Sequence, residues 1–148
     1  MVSNSTILFF SEGSRFTLKN KKKVRNWINA SMAQEKKRVG SISFIFTSDS
    51  HLHGMNVQYL GHDTFTDIIT FDYSDPEGGL SGDLFISVER VKDNAKQFGV
   101  PFVKELHRVM IHGMLHLAGY KDKSSSDKAL MRSKEDYYLS LQPDFFGK

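Results

Sequence analysis

The stretch "ELHRVMIHGMLHLAGYKD", residues 105–122, decides how the rest of the chain is read. Apolar residues are so dense around Met110 that a helix from about Phe102 to Ala118 must be largely buried, which predicts a central helix rather than a surface one. At about 100° per residue, Val103, Leu106, Met114 and Leu117 fall within about 40° of one direction and form a stripe for a sheet. His112 and His116 point the other way, with Glu105 and Arg108 on their side. They are one turn apart, about 40° around the axis and about 6 Å along it. Both imidazoles can therefore converge on one ion at roughly 2.0–2.1 Å. Gly119 is the residue type that ends a helix in a left-handed conformation, so the chain turns back and Asp122 can return towards the pair. Two nitrogens from a helix and one carboxylate from the next turn leave a fourth position open to solvent, the arrangement of a catalytic zinc rather than a structural one. The plainer alternative is two ordinary histidines beside a helix end. Gly113 stands where a zincin-type peptidase carries its glutamate base, which argues against that chemistry.

Outward from this helix, "TILFF" reads as a short strand, "SISFIFTS" alternates and is rich in Ile and Phe, and "DIITFDY" and "GDLFIS" add two more strands separated by the turn-rich "SDPEGG". Between about Leu18 and Lys37, Val24, Trp27, Ile28 and Met32 recur at helical spacing while lysines fill other positions, which makes an amphipathic helix that packs on the sheet. "VERVKDNAKQFG" is a polar helical stretch ending at Gly99, Pro101 sits near the start of the central helix, and a last helix spans about Ser126 to Leu141. The expectation is one α+β domain over residues 1–148, with a mixed sheet of about four strands packed against helices.

The 148 residues contain no cysteine, which excludes disulfides and thiolate ligands, so a transition metal here needs His, Asp or Glu. No segment has the length and apolar character of a membrane span, and "MVSNSTILFF" lacks a basic leader, so a soluble cytoplasmic protein with no membrane partner is expected. The net charge of +3 conceals an asymmetry: the first 40 residues hold nine Lys/Arg against two acids. This excess, in "RFTLKNKKKVRNW" and "QEKKR", suits a phosphate backbone or simply a solvated helix face.

Taken together, "ELHRVMIHGMLHLAGYKD" resembles the signature of the YbeY family, metal-dependent endoribonucleases that act in ribosomal RNA maturation. "MNVQYLGHDTFTDIITFDY" is similar to the family's upstream segment and "SGDLFIS" to its Gly-Asp-Ile strand, in the same order, so the likeness covers about residues 55–135. The resemblance implies that His112 and His116 are metal ligands, with Asp122 where the family usually has a third histidine. That carboxylate leaves the centre less positive, so its bound water is a weaker acid and Mn²⁺ competes better with Zn²⁺. Leu60 stands where the family commonly shows a phosphate-binding arginine. Arg108, one turn before His112, is the candidate to grip phosphate, or else pairs with an acid. Glu105 and Asp67 are candidate general bases.

Other residues draw plainer readings. His107 is a packed or surface histidine. His51, His53 and His62 fall in segments read as loop or turn, His62 being the best placed to reach a metal. Asp83 is a turn or capping residue, and Asp127 is next in line should Asp122 not ligate. Phe65, Phe71 and Tyr73 are core residues or base-stacking platforms. The implied function is hydrolysis of single-stranded rRNA at the small-subunit 3′ end, together with ribosome quality control, by a metal-activated water. The implied partners are RNA and the ribosomal small subunit or a ribosomal protein. The alternative is a non-catalytic assembly factor that binds rRNA or a ribosomal protein, with a structural metal.

Overall fold

A computed structural model of the chain describes residues 5–62 and 64–147. Strand β1 (Thr6–Ser11) leads through helix α1 (Lys21–Gln34) to β2 (Val39–Thr47), and α2 (Asp49–Leu60) precedes β3 (Ile68–Asp72) and β4 (Leu80–Ser87). Helices α3 (Val88–Phe98), α4 (Phe102–Leu117), α5 (Ser125–Ser140) and the short α6 (Pro143–Phe146) follow. The sheet has four strands in the order β1-β2-β4-β3. β1, β2 and β4 are parallel, whereas β3 runs antiparallel to β4. The α+β expectation, the mixed sheet and the strand count are all borne out.

Register explains which residues form the core. Ile7 pairs with Ile42, Phe44 with Leu84, and Phe46 and Ile68 each with Ile86, so these side chains share one face of the sheet. Against that face lies α4, close enough that a Cβ on Gly113 would meet both Leu84 and Ile68. Leu106, Met110, Met114 and Leu117 of α4 are buried there. Val103, expected in the same stripe, is 56% exposed, although Phe102 beside it packs on Phe16. The opposite face carries Ile45, Phe71 and Phe85, and α2 lies over it, with Tyr59 edge-on to Phe71 at 6.1 Å.

Helix α2 is the main departure from expectation. Its residues were read as loop or turn, yet Ser48 caps its start by accepting a hydrogen bond from the His51 amide and Gly61 ends it at φ 69°. Only Leu52 and Asn56 are buried along it, so no continuous apolar stripe announces the helix. His51 and His53 are therefore helical, and His62 follows the C-cap. Among the described residues, no helix is long and apolar enough to cross a membrane.

Candidate metal centre

Helix α4 delivers His112 and His116 to the mouth of a cleft, with ring centroids 4.6 Å apart and planes at 83°. Gly119, at φ 111°, reverses the chain just beyond the helix, a conformation that L side chains rarely adopt. The turn brings Asp122 back, as expected, so that its Oδ2 lies 3.6 Å from His112 Nε2. Ligand atoms of His112, His116 and Asp122 all lie within 4.8 Å of one another. Two ligands of a tetrahedral ion bound at about 2.0–2.1 Å are roughly 3.4 Å apart, so the spacing suits a single divalent cation.

Both histidines are oriented through their other nitrogen. The Tyr120 carbonyl lies 3.0 Å from His116 Nδ1 and can only accept, so Nδ1 carries the proton and Nε2 keeps its lone pair. His112 Nδ1 lies 2.6 Å from Glu135 Oε2, again an acceptor. Burial opposes charge on His112, but the Glu135 hydrogen bond and charge outweigh it and hold its pKa above the usual value. Burial and the neighbouring His112 push His116 down. The donor set of two imidazoles and one carboxylate fits Zn²⁺ and also harder ions such as Mn²⁺.

The cleft has a volume of about 730 Å³ and is lined by Asn56, Leu60, His62, Asp67 and Lys123 besides His112, His116 and Asp122. Asn56 is fixed by hydrogen bonds from its Nδ2 to the Thr64 carbonyl, 2.8 Å, and the Thr64 hydroxyl, 3.2 Å. A smaller cavity of about 270 Å³ shares His112 and Asp122 with the cleft and is lined also by Asp67, Glu105, Arg108 and Glu135. Asp67 is thus shared by the two cavities. Burial raises its pKa, partly offset by His112, and burial likewise raises that of Glu105.

The remaining sequence candidates separate clearly. Arg108 is held by acids, with Nη1 3.0 Å from Glu135 Oε1 and Nη2 2.7 Å from Asp136 Oδ1, so the ion-pair alternative describes its contacts. His107 is buried, 2.8 Å from Gln142 through Nδ1, and sits between Trp27 and Phe146. His62 lines the cleft but stands outside the three-residue group, and His53 stacks on Phe65 at 4.2 Å. Asp127 completes a capping box with Ser124 at the start of α5 and Asp83 accepts a hydrogen bond from Tyr73 at 3.0 Å, which engages both away from the metal group. Phe71 is packed between Tyr59 and Phe85, whereas Phe65 and Tyr73 are exposed.

The residue missed in the sequence is Glu135. It lies on α5 with Met131, Tyr138 and Leu139, which together form the buried side of that helix. An acid placed on an apolar stripe is a readable signal, since burying a carboxylate is costly unless it is paired.

Two imidazoles and one carboxylate at a solvent-facing cleft could hold one metal ion, the donor set that open, hydrolytic metal sites use. The chain belongs to the YbeY family: residues 10–142 match the family model described as Endoribonuclease YbeY. A protein named Endoribonuclease YbeY from Flavobacterium johnsoniae is 51% identical over 132 residues, covering 89% of this chain and 94% of that one. Another of the same name from Cytophaga hutchinsonii is 46% identical over 141 residues, covering 95% and 99%. The solution structure of a Thermotoga maritima protein superposes with a TM-score of 0.66 at 26% identity, covering 94% of this chain and 90% of that chain.

Proposed function

We propose that this chain is a metal-dependent endoribonuclease that cleaves single-stranded RNA in the cytoplasm. Its substrate in this reading is rRNA, at the 3′ end of the small-subunit transcript and in ribosome quality control. The observation that carries the reading is the convergence of His112, His116 and Asp122 within 4.8 Å at a cleft open to solvent. Bound there, a divalent cation such as Zn²⁺ or Mn²⁺ would activate water and offset charge on the phosphoryl group. His112 and His116 present Nε2 lone pairs because Glu135 and Tyr120 occupy their Nδ1 positions. Asp67 is the carboxylate best placed to take a proton, because it alone of the two base candidates lines the metal cleft. Glu105 lines only the smaller cavity and acts, in this reading, on the electrostatics around His112. Lys123 at the cleft rim favours a polyanion, and the lysine-rich α1 supplies salt-sensitive affinity.

A second reading, a non-catalytic assembly factor that binds rRNA or a ribosomal protein, is favoured by two observations. Arg108 spends its guanidinium on two acids, and Leu60 occupies the cleft where the family commonly shows arginine. Cleavage of a single-stranded RNA by the purified protein, dependent on added Zn²⁺ or Mn²⁺, separates the two. His112→Ala should bind the RNA as well as wild type and fail to cut it. Equal cleavage by both proteins removes the metal centre from the reaction, and no cleavage by wild type with any divalent ion favours the assembly factor.

A further inference from the structure

We infer that Glu135 is the positioning residue for the metal ligand His112, and that Arg108 acts by holding Glu135 rather than by gripping phosphate. The inference rests on the metal centre proposed above but not on the nuclease activity.

Each carboxylate oxygen of Glu135 has one partner. Oε2 takes the proton side of His112 Nδ1 at 2.6 Å, and Oε1 takes Arg108 Nη1 at 3.0 Å. Glu135 is 5% exposed, so both contacts are largely shielded from bulk water. An ionised carboxylate only accepts, which forces the imidazole proton onto Nδ1 and leaves Nε2 as the free donor atom. That nitrogen is the one lying 3.6 Å from Asp122 Oδ2. Glu135 lies 23 residues beyond His112, so the orientation of the ligand depends on how α5 docks on α4.

The guanidinium of Arg108 spans two consecutive acids of α5, since its second nitrogen reaches Asp136 at 2.7 Å. A buried carboxylate with only a neutral imidazole beside it is costly, and the adjacent cation offsets that cost. The pair also matters for charge at the centre. Asp122 already supplies a negative ligand, and a second uncompensated anion at Glu135 would weaken the Lewis acidity of any ion held there; Arg108 cancels it. A fork held at both ends has little left to offer a phosphate ester.

The test uses Zn²⁺ alone, with two readouts on wild type, Glu135→Ala, Arg108→Ala and the double variant. The first is the ring-nitrogen NMR signature of His112 in metal-free protein at alkaline pH. Wild type should show the proton on Nδ1, and Glu135→Ala should lose that preference. The second is zinc affinity by chelator competition, where Glu135→Ala should weaken binding by roughly 10- to 100-fold. Arg108→Ala should change zinc affinity in the wild-type background and leave it unchanged in the Glu135→Ala background, because its effect passes through Glu135. Where alanine prevents folding, Glu135→Gln keeps the volume and an acceptor, and should weaken zinc while retaining the tautomer. Unaltered zinc affinity and tautomer in a folded Glu135 variant overturn the assignment. Equal effects of Arg108→Ala in both backgrounds overturn the role given to Arg108. Failure of wild type to bind zinc overturns the metal centre itself.

Discussion

Gly113 of α4 and Leu84 of β4 meet so closely that a Cβ on the glycine would lie 2.4 Å from Leu84 Cδ2, and it would also lie 2.8 Å from Ile68 Cδ1. The missing side chain lets the helix settle onto the sheet between His112 and His116, which sets the depth at which both reach the cleft. It also explains structurally why no base follows the first histidine, since position 113 faces the core rather than the cleft. Gly113→Ala should gain about 1 kcal/mol of helix propensity and lose about 1–3 kcal/mol to overpacking, for a net loss of roughly 1 kcal/mol. Gly113→Glu, which buries a charge at the same point, should cost several times more. Denaturant midpoints at constant slope check both.

His107 gives the molecule a pH dependence of known sign. Burial holds its pKa down, from 6.5 to about 4, against the opposing Gln142 hydrogen bond. Between those values the unfolded chain holds the proton and the folded one does not, so this stability is complete above pH 6.5 and drains away as pH falls towards 4. The full span is worth about 3 kcal/mol. In His107→Gln, the fall in unfolding free energy across that range should be shallower than in wild type by up to this amount. Parallel pH profiles for the two proteins would be the opposite result.

The turn bearing Asp122 is tied to the end of α1 by one carboxylate. Glu35 accepts from the Tyr120 hydroxyl at 2.6 Å, from the Tyr138 hydroxyl, and from Lys134 Nζ at 3.2 Å. Burial alone would raise its pKa, but these donors outweigh it and hold the group below the ordinary carboxylate value. Tyr120→Phe should cost about 1 kcal/mol and loosen the turn. Amide exchange at Lys121 and Lys123 should quicken relative to wild type, while amides in the middle of α4 stay protected. No change at the turn would mean that Glu35 does not steady Asp122.

Much of this architecture was legible in the sequence because the decisive signals are local. His112 and His116 share a face by helical spacing alone, and Gly119 announces the reversal that returns Asp122. The strands were legible from their β-branched and aromatic content, and in β4 buried and half-buried residues alternate from Leu80 to Ile86. Helix α2 was not legible, because its burial is confined to Leu52 and Asn56 and only the caps at Ser48 and Gly61 mark it locally. Glu135 was missed for a different reason: the contact to His112 joins two helices across 23 residues, and periodicity says nothing about which acid docks where. Arg108 was legible as a functional neighbour of His112, but its acidic partners become visible only once α5 is laid against α4.

The proposed chemistry requires His112, His116 and Asp122 to grip one divalent ion together. Elemental analysis of dialysed wild type beside Asp122→Ala tests this most directly. One equivalent of metal in wild type and a clear loss in Asp122→Ala is the predicted result; equal metal in the two proteins would contradict it and place the third ligand elsewhere.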